Sequence, residues 1–410
     1  MHIILNVESL LKPSGGIGRY TQYLLEGLLK SDDVDKVSCF GGLRWIDSSE
    51  FVKTKSVANE QTAETRDATE IDSLPQAPRS PLRQFLASIP FLKTAVLRSL
   101  PFVYQLYARY NAAMFHRKAK TIKGAIYHEP NYILKPFDGP SVTTVHDLSF
   151  IHCPEYHPKE RVQHLKKHLK MTLEKAAHVV TDSEFVRKEL IAQMGVEPDR
   201  VSTILLGVDE SYHPRSKAEL APILSKHKLI AGQYLLSVST IEPRKNILSI
   251  LVAYMQLDPA LRKDYPLVLV GGDGWRNQEI KNKITELVKQ GDVIHLGYTS
   301  NEDLPYLFAG ARAFVFVPFY EGFGLPPLEA MASGIPVLTT HVSSIPEVVG
   351  ETGLLVAPND VEAIQQGMVK LLTDDKWRAL TIKAGLERAK QFTWTRCVEQ
   401  TIAIYKKIAE

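Results

Sequence analysis

The 410-residue sequence predicts an α/β protein of two Rossmann-like domains, each a doubly wound parallel sheet. Three observations lead there. The chain is longer than a single hydrophobic core usually supports, a limit near about 250–300 residues. Short apolar runs of strand length alternate with segments of helical period, the pattern of parallel strands covered by helices. The same pattern then starts again after a polar stretch that carries Pro214 and Pro222.

Taken in order, residues 3–7 read as a strand, 15–18 as a glycine loop and 20–30 as a helix, with further strands at 142–145 and 178–181. Residues 1–210 are assigned to the N-terminal domain and residues 211–232 to the linker. In the C-terminal domain, residues 233–391, strands are expected at 234–238, 267–270, 293–296, 313–317 and 336–339. Trp394, Val398, Ile402 and Tyr405 recur at helical spacing, so residues 392–410 should form a terminal helix that packs back on the first domain.

Composition removes several function classes. With 49 basic and 46 acidic residues the net charge is +3, too near balance for nucleic acid as a partner. Cys39, Cys153 and Cys397 are far apart and form no CxxC pair, which argues against a disulfide framework or a zinc ribbon. The start, MHIILNVES, lacks the basic and long apolar regions of a signal peptide, and no window reaches the apolar length of a membrane span. A cytoplasmic protein is the expectation.

One segment is unusual. Residues 73–128 carry Arg79, Arg83, Lys93, Arg98, Arg109, Arg117, Lys118, Lys120 and Lys123 but no Asp or Glu, and they are rich in Phe and Tyr. Residues 79–123 therefore suit an anionic membrane surface, as cation-flanked apolar helices do. A core helix pair with solvated lysines is the alternative reading.

The strongest chemical signal is FYEGFGLPPLEAMASGI, residues 319–335, which leaves a strand and enters a helix through glycine and proline. Pro326 and Pro327 suit a first helical turn, while Gly322 and Gly324 let a ligand approach the backbone closely. A helix N-terminus offers unpaired N–H groups with partial positive charge, here the amides of Phe323, Gly324, Leu325 and Leu328. Glu321 and Glu329 stand eight positions apart, so one can reach a sugar hydroxyl and the other a ribose diol. In the companion segment STIEPRKN, residues 239–246, a strand ends where Arg244 and Lys245 open a helix, and two adjacent cations there can neutralise a diphosphate. Together the segments form a phosphate trap.

With these two segments in view, the sequence resembles the retaining glycosyltransferases of the two-domain GT-B fold (glycosyltransferase family 4, glycosyl transferases group 1), among them bacterial lipopolysaccharide and exopolysaccharide mannosyltransferases. The resemblance covers nearly the whole chain and rests on PSGGIGRY, TVHDLSF, VVTDSEFVRKEL, STIEPRKN, LVLVGGDG, VIHLGYTSNEDLPYLF and EGFGLPPLEAMASGIPVLTT, in that order. It implies an N-terminal acceptor domain and a C-terminal donor domain facing a cleft that closes on binding, with a nucleotide sugar as substrate and neither cofactor nor metal. Residue by residue, it implies Glu321 at the donor sugar, Glu329 at the nucleotide ribose, Arg244 and Lys245 at the diphosphate, and Gly15 and Gly16 near donor phosphate and acceptor. It further implies His146 beside the transferring sugar, with Asp147 orienting the site. Tyr298 is expected beside the base. Arg19, Tyr20, His128 and Asn131 are expected on the acceptor side, where a glycan or lipid-linked oligosaccharide would bind.

The likeness of EGFGLPPLEAM and TVHDLSF to mannosyltransferases favours GDP-mannose, with UDP-glucose and UDP-N-acetylglucosamine left open. Asp33-Val-Asp35 spells the DxD of metal-dependent transferases but follows the first helix in a polar loop, so it reads as a turn. His164 and His168 have ligand spacing but sit among Lys166, Lys167 and Lys170, so they read as a solvated face. A nucleotide-sugar epimerase and an inactive carbohydrate-binding relative are the rival readings. The intact acidic and basic pairs speak for transfer.

Overall fold

The computed structural model describes residues 1–11, 15–51 and 101–409, with the side chains of 101–108 left aside. Two sheets organise the described residues. The first contains β1 (His2–Asn6), β2 (Lys36–Gly41), β3 (Arg44–Ile46), β4 (Ala125–Glu129), β5 (Ser141–Val145), β6 (His178–Thr181) and β7 (Val201–Thr203) in the order β3-β2-β1-β4-β5-β6-β7. All its pairs are parallel except β3 on β2. The second contains β8 (Leu235–Val238), β9 (Leu267–Val270), β10 (Val293–Gly297), β11 (Ala313–Phe316), β12 (Val337–Thr340) and β13 (Leu354–Val356), all parallel, in the order β10-β9-β8-β11-β12-β13.

Burial explains the strands. Every residue of β5, β6, β9 and β11 is buried, as expected of parallel strands covered by helices on both faces. Side chains alternate across β1: Ile3 and Leu5 join the core with Tyr20, Leu24 and Leu28, while Ile4 packs with Phe40, Phe115 and Tyr127 on the other face. The sequence pattern misses β2, β3, β4, β7 and β13. β3, β7 and β13 have only three residues each, and β4 buries Tyr, His and Glu, so neither carries the apolar run that marks a strand.

The first helix begins at Gly16 with Gly15 as its N-cap, so the expected glycine loop lies mostly inside the helical first turn. Within 211–232, residues Lys217–Lys226 form a helix closed by a Ser216–Glu219 capping box. Its Leu220 and Leu224 are buried in the same core as Leu307 and Phe308, so this part of the expected linker is built into the second domain. The terminal helix Trp394–Ala409 crosses to the first domain and lies on the helix Gly16–Lys30. Trp394 stacks on Tyr23 with ring centroids 4.5 Å apart, and a Cβ at Gly27 would come within 2.5 Å of Val398. Among the described residues no helix is long and apolar enough to cross a membrane.

The order of each sheet places the chemistry. In the first, the order in which strands are added reverses between adjacent β1 and β4, and in the second between β8 and β11. Ligands bind outside the carboxyl ends of strands at such points. The connections there include residues 7–11, 130–140, 239–246 and 317–324, which carry Arg244, Lys245 and Glu321.

Candidate active site

The second-domain side of the cleft is built from the loops after β8 and β11. A single 3₁₀ turn, Pro243–Lys245, presents the two cations, and Asn246 follows in the left-handed region at φ 57°. The Asn246 amide donates to the Val317 and Pro358 carbonyls at 2.9 and 2.7 Å, and the Phe319 N–H donates to the Arg244 carbonyl at 3.0 Å. The two loops are thereby stitched together. Glu321 is fixed through its backbone: its N–H donates to Ser343 Oγ at 2.9 Å, and its carbonyl accepts from Ser344 Oγ at 2.8 Å.

Opposite charges converge there. Lys245 Nζ is bonded to Glu321 Oε1, and Arg244 Nη1 lies 3.6 Å from the same oxygen. Arg244 also donates to the Tyr320 carbonyl at 2.8 Å and to Glu242 at 3.0 Å, and it lies 3.9 Å from Asp147 of the first domain. Burial alone would lower the guanidinium's pKa, but Glu321, Asp147 and Glu242 together raise it, so it stays charged. Gly324 caps the helix Leu325–Ala332 at φ 116°, a conformation that suits glycine. The Leu328 N–H is already bonded to the Gly324 carbonyl at 3.3 Å, which corrects its expected availability and leaves Phe323, Gly324 and Leu325 as candidate donors. Tyr298 is 63% exposed beside the Gly271–Gly272 backbone, open to a planar group.

Glu329 is buried and pairs with Arg19 across the cleft. That contact revises the expectation for Arg19: its guanidinium is taken by a carboxylate of the second domain and lies 5.9 Å from the Tyr212 ring centre. Gly16 faces Leu325, which a Cβ would approach to 3.8 Å, whereas Gly15 faces open space. The two domains also approach closely at Gly322, where a Cβ would stand 1.9 Å from the His146 carbonyl oxygen.

On the first-domain side, His146 directly follows β5 with both ring nitrogens engaged, Nδ1 with Asp182 Oδ2 and Nε2 with the Pro130 carbonyl, each at 2.7 Å. Asp147 accepts from the Tyr132 hydroxyl at 3.0 Å and from Ser149 N–H and Oγ at 3.0 and 2.8 Å. Burial opposes the charge of Asp147, but Arg244 and these donors hold its pKa below the usual value. Two acceptor-side expectations are corrected. His128 is fully buried and bonded to Tyr405 and Thr144, and burial pushes its pKa down to about 3, so it is a neutral core residue. Tyr20 is buried too, its hydroxyl 2.9 Å from Thr144 Oγ1 and its ring edge-on to His146. Asn131 is exposed on the turn after β4.

Several partners escaped the sequence reading. Asp182 lies in the segment VVTDSEFVRKEL, and its place just after β6 is the signal that could have found it. Ser183 Oγ donates to the Gly322 carbonyl at 2.8 Å, and Tyr320 donates to Glu189 at 2.5 Å while its oxygen accepts the Leu148 N–H at 3.1 Å. The Glu347 carboxylate accepts the N–H groups of Glu184 and Phe185 at 2.8 and 2.6 Å, capping a first-domain helix from the second. These pairings depend on domain docking, which no local pattern encodes. Asp33 and Asp35 lie at the turn before β2, with Asp33 2.7 Å from Lys406. Among the described residues no group of three or more His, Cys, Asp or Glu is arranged to hold a metal ion.

Two parallel-sheet domains facing through their switch-point loops, with paired carboxylates and cations between them, define a glycosyltransferase of the GT-B fold. Residues 14–212 match the family model Glycosyltransferase Family 4, and residues 226–388 match Glycosyl transferases group 1. The chain belongs to this family of GT-B glycosyltransferases. It is 38% identical over 406 residues to O-antigen chain mannosyltransferase B of Escherichia coli, spanning 99% of this chain and 100% of the relative. Sucrose-phosphate synthase from Thermosynechococcus elongatus shares the fold at TM-score 0.69 and 22% identity, over 99% of this chain and 98% of its own. Anabaena HepE, solved in complex with UDP and glucose, superposes at TM-score 0.66 and 18% identity, over 99% and 100% of the two chains.

Proposed function

We propose that the chain is a retaining mannosyltransferase that moves mannose from GDP-mannose to a glycan or lipid-linked oligosaccharide in the assembly of an O-antigen-type surface polysaccharide, without metal or cofactor. The observation that carries the reading is Glu321 held between Lys245 and Arg244 beside a glycine-capped helix N-terminus. The full-length relative supports mannose and the O-antigen setting.

In this reading the diphosphate takes Arg244 and Lys245, which frees Glu321 for a hydroxyl of the donor sugar. Glu329 exchanges Arg19 for the ribose diol, and Tyr298 with the Gly271–Gly272 backbone flanks the base. The acceptor hydroxyl approaches from the side of Asn131 and Gly15. Its oxygen attacks the anomeric carbon on the face the leaving group departs from, the bond from that carbon to the phosphate oxygen breaks, and that oxygen takes the hydroxyl proton. The products are the glycoside and a nucleoside diphosphate. The protein's part is orientation and charge stabilisation. Two fixed cations supply the neutralisation that a metal would otherwise bring.

The test is a panel of labelled nucleotide sugars incubated with the pure protein in chelator, with donor hydrolysis and transfer measured. Turnover of GDP-mannose with retained anomeric configuration supports the reading, and loss of all turnover in chelator refutes metal independence. We also place the protein in the cytoplasm, peripheral at the inner face of the plasma membrane through residues 79–123. Part of that segment lies outside the described residues; within it Arg109, Arg117, Lys118, Lys120 and Lys123 are exposed. Flotation with anionic vesicles tests this placement, and indifference to anionic lipid removes it.

A further inference from the structure

We propose that Asp182 is a positioning residue that holds His146 as a doubly protonated imidazolium, and that this cation clamps the Pro130 carbonyl and so fixes the turn carrying Asn131 against the donor loop. The inference rests on the glycosyltransferase reading for its consequence but not for its geometry.

The ring faces two acceptors. A peptide carbonyl can only accept, so Nε2 at 2.7 Å from the Pro130 oxygen must carry a proton. Nδ1 lies 2.7 Å from Asp182 Oδ2, and an ionised carboxylate also only accepts. With both nitrogens donating, the ring is a cation. Asp182 is 3% exposed, and its Oδ1 has no hydrogen-bond partner among the described residues; burial raises its pKa, and the attraction and hydrogen bond of His146 work against that rise, so the imidazole is the group that answers its charge. The remaining surroundings agree. Tyr20 from the first helix and Tyr132 from the turn after β4 meet the ring edge-on, with centroids 5.3 and 6.2 Å away. His128 beneath is neutral, and Asp147, next in sequence, adds a second negative charge while facing Arg244. Burial works against the charged ring, but Asp182, the Pro130 carbonyl and Asp147 outweigh it and raise the pKa of His146.

His146 then ties three pieces together. Its side chain holds β6 through Asp182 and the acceptor-side turn through Pro130, while its own carbonyl abuts Gly322 of the donor loop. With both ring nitrogens taken in this arrangement, the ring sets the spacing between the two half-sites.

The experiment is long-range proton–nitrogen correlation on the full chain with ¹⁵N-labelled histidine, titrated from about pH 6 to about pH 8, with His146 assigned from H146Q. Wild type should show both His146 nitrogens protonated throughout. Asp182→Asn keeps the size of the side chain but removes the charge that holds the second proton, so the midpoint of the ring should fall by about one to three pH units, and the neutral ring should hold Pro130 by an uncharged and weaker hydrogen bond. The kcat of this variant should decline as pH rises through the lowered midpoint and recover on acidification, while wild type stays flat; Asp182→Glu should restore the flat profile. An unprotonated ring nitrogen in wild type at neutral pH overturns the proposal, as does a wild-type pH profile in Asp182→Asn. If that variant does not fold, the wild-type titration decides alone. Because the spectra need neither donor nor acceptor, a cationic His146 in a protein without transferase activity would count against the function and not against the clamp.

Discussion

Replacing Gly322 by alanine tests the geometry of the cleft directly. The added Cβ would lie 1.9 Å from the His146 carbonyl oxygen, 2.8 Å from the carbonyl carbon and 2.8 Å from Asp147 Cβ. Two of those atoms belong to backbone, so no rotamer change relieves the contact, and overpacking of this kind costs about 1–3 kcal/mol. His146 and Gly322 belong to different domains, so the cheapest relief is for the domains to move apart. That separation loosens the Ser183 bond to the Gly322 carbonyl and the Glu347 cap on the first-domain helix. The cost therefore falls on the docked arrangement rather than on either fold, and kcat/KM should drop by roughly five- to 150-fold. Nucleoside diphosphate affinity by calorimetry should stay within about threefold, since Arg244 and Lys245 are untouched, and the Tm should not move beyond what one surface substitution causes. A variant with kcat/KM within twofold of wild type would refute the reasoning. A lowered Tm that accounts for the whole loss would do the same.

Three further outcomes follow from the site. Arg244→Ala or Lys245→Ala should lower turnover by about a hundred- to a thousandfold, the usual cost of one charge-stabilising group, and steady-state kinetics with donor in excess would show it. Glu329→Gln should weaken nucleoside diphosphate binding by about ten- to a hundredfold, because a hydrogen bond to a charged group contributes about 1.5–3 kcal/mol, while a deoxyribose analogue should bind both proteins alike. His128, held near 3 by burial, stays neutral in the folded chain while the unfolded chain takes up a proton below about pH 6.5. Stability should therefore fall as pH drops through that window, and denaturant titrations of His128→Asn should show a slope smaller by about one proton. An unchanged slope would mean that His128 is not buried neutral.

The sites most legible in the sequence were those where one short segment does the work. STIEPRKN and EGFGLPPLEAM each combine a strand end, a special backbone and charged side chains within a few residues, so strand position, glycine, proline and charge could be read together. The structure brings Arg244, Lys245 and Glu321 into contact, within the reach that such a reading requires. The acceptor side was less legible. The resemblance put His128 and Tyr20 on the acceptor side, yet packing of the terminal helix covers His128 through Tyr405, and Thr144 takes the Tyr20 hydroxyl. Arg19 could not be assigned from its neighbours because its partner, Glu329, lies 310 positions away.

The sequence alone determined what depends on local periodicity and local chemistry: two α/β units, the strands buried on both faces, and the loops that carry the cations, carboxylates and glycines. Tertiary structure alone decided which of these groups meet. The order of the strands placed β1 beside β4 and β8 beside β11, and the docking of the two domains set Arg19 on Glu329, Asp147 near Arg244 and the His146 carbonyl against Gly322. Hydrogen bonds and ion pairs act over a few ångströms whatever the distance along the chain, so a pairing between remote residues leaves no periodic trace in sequence and exists only once the backbone has folded around it.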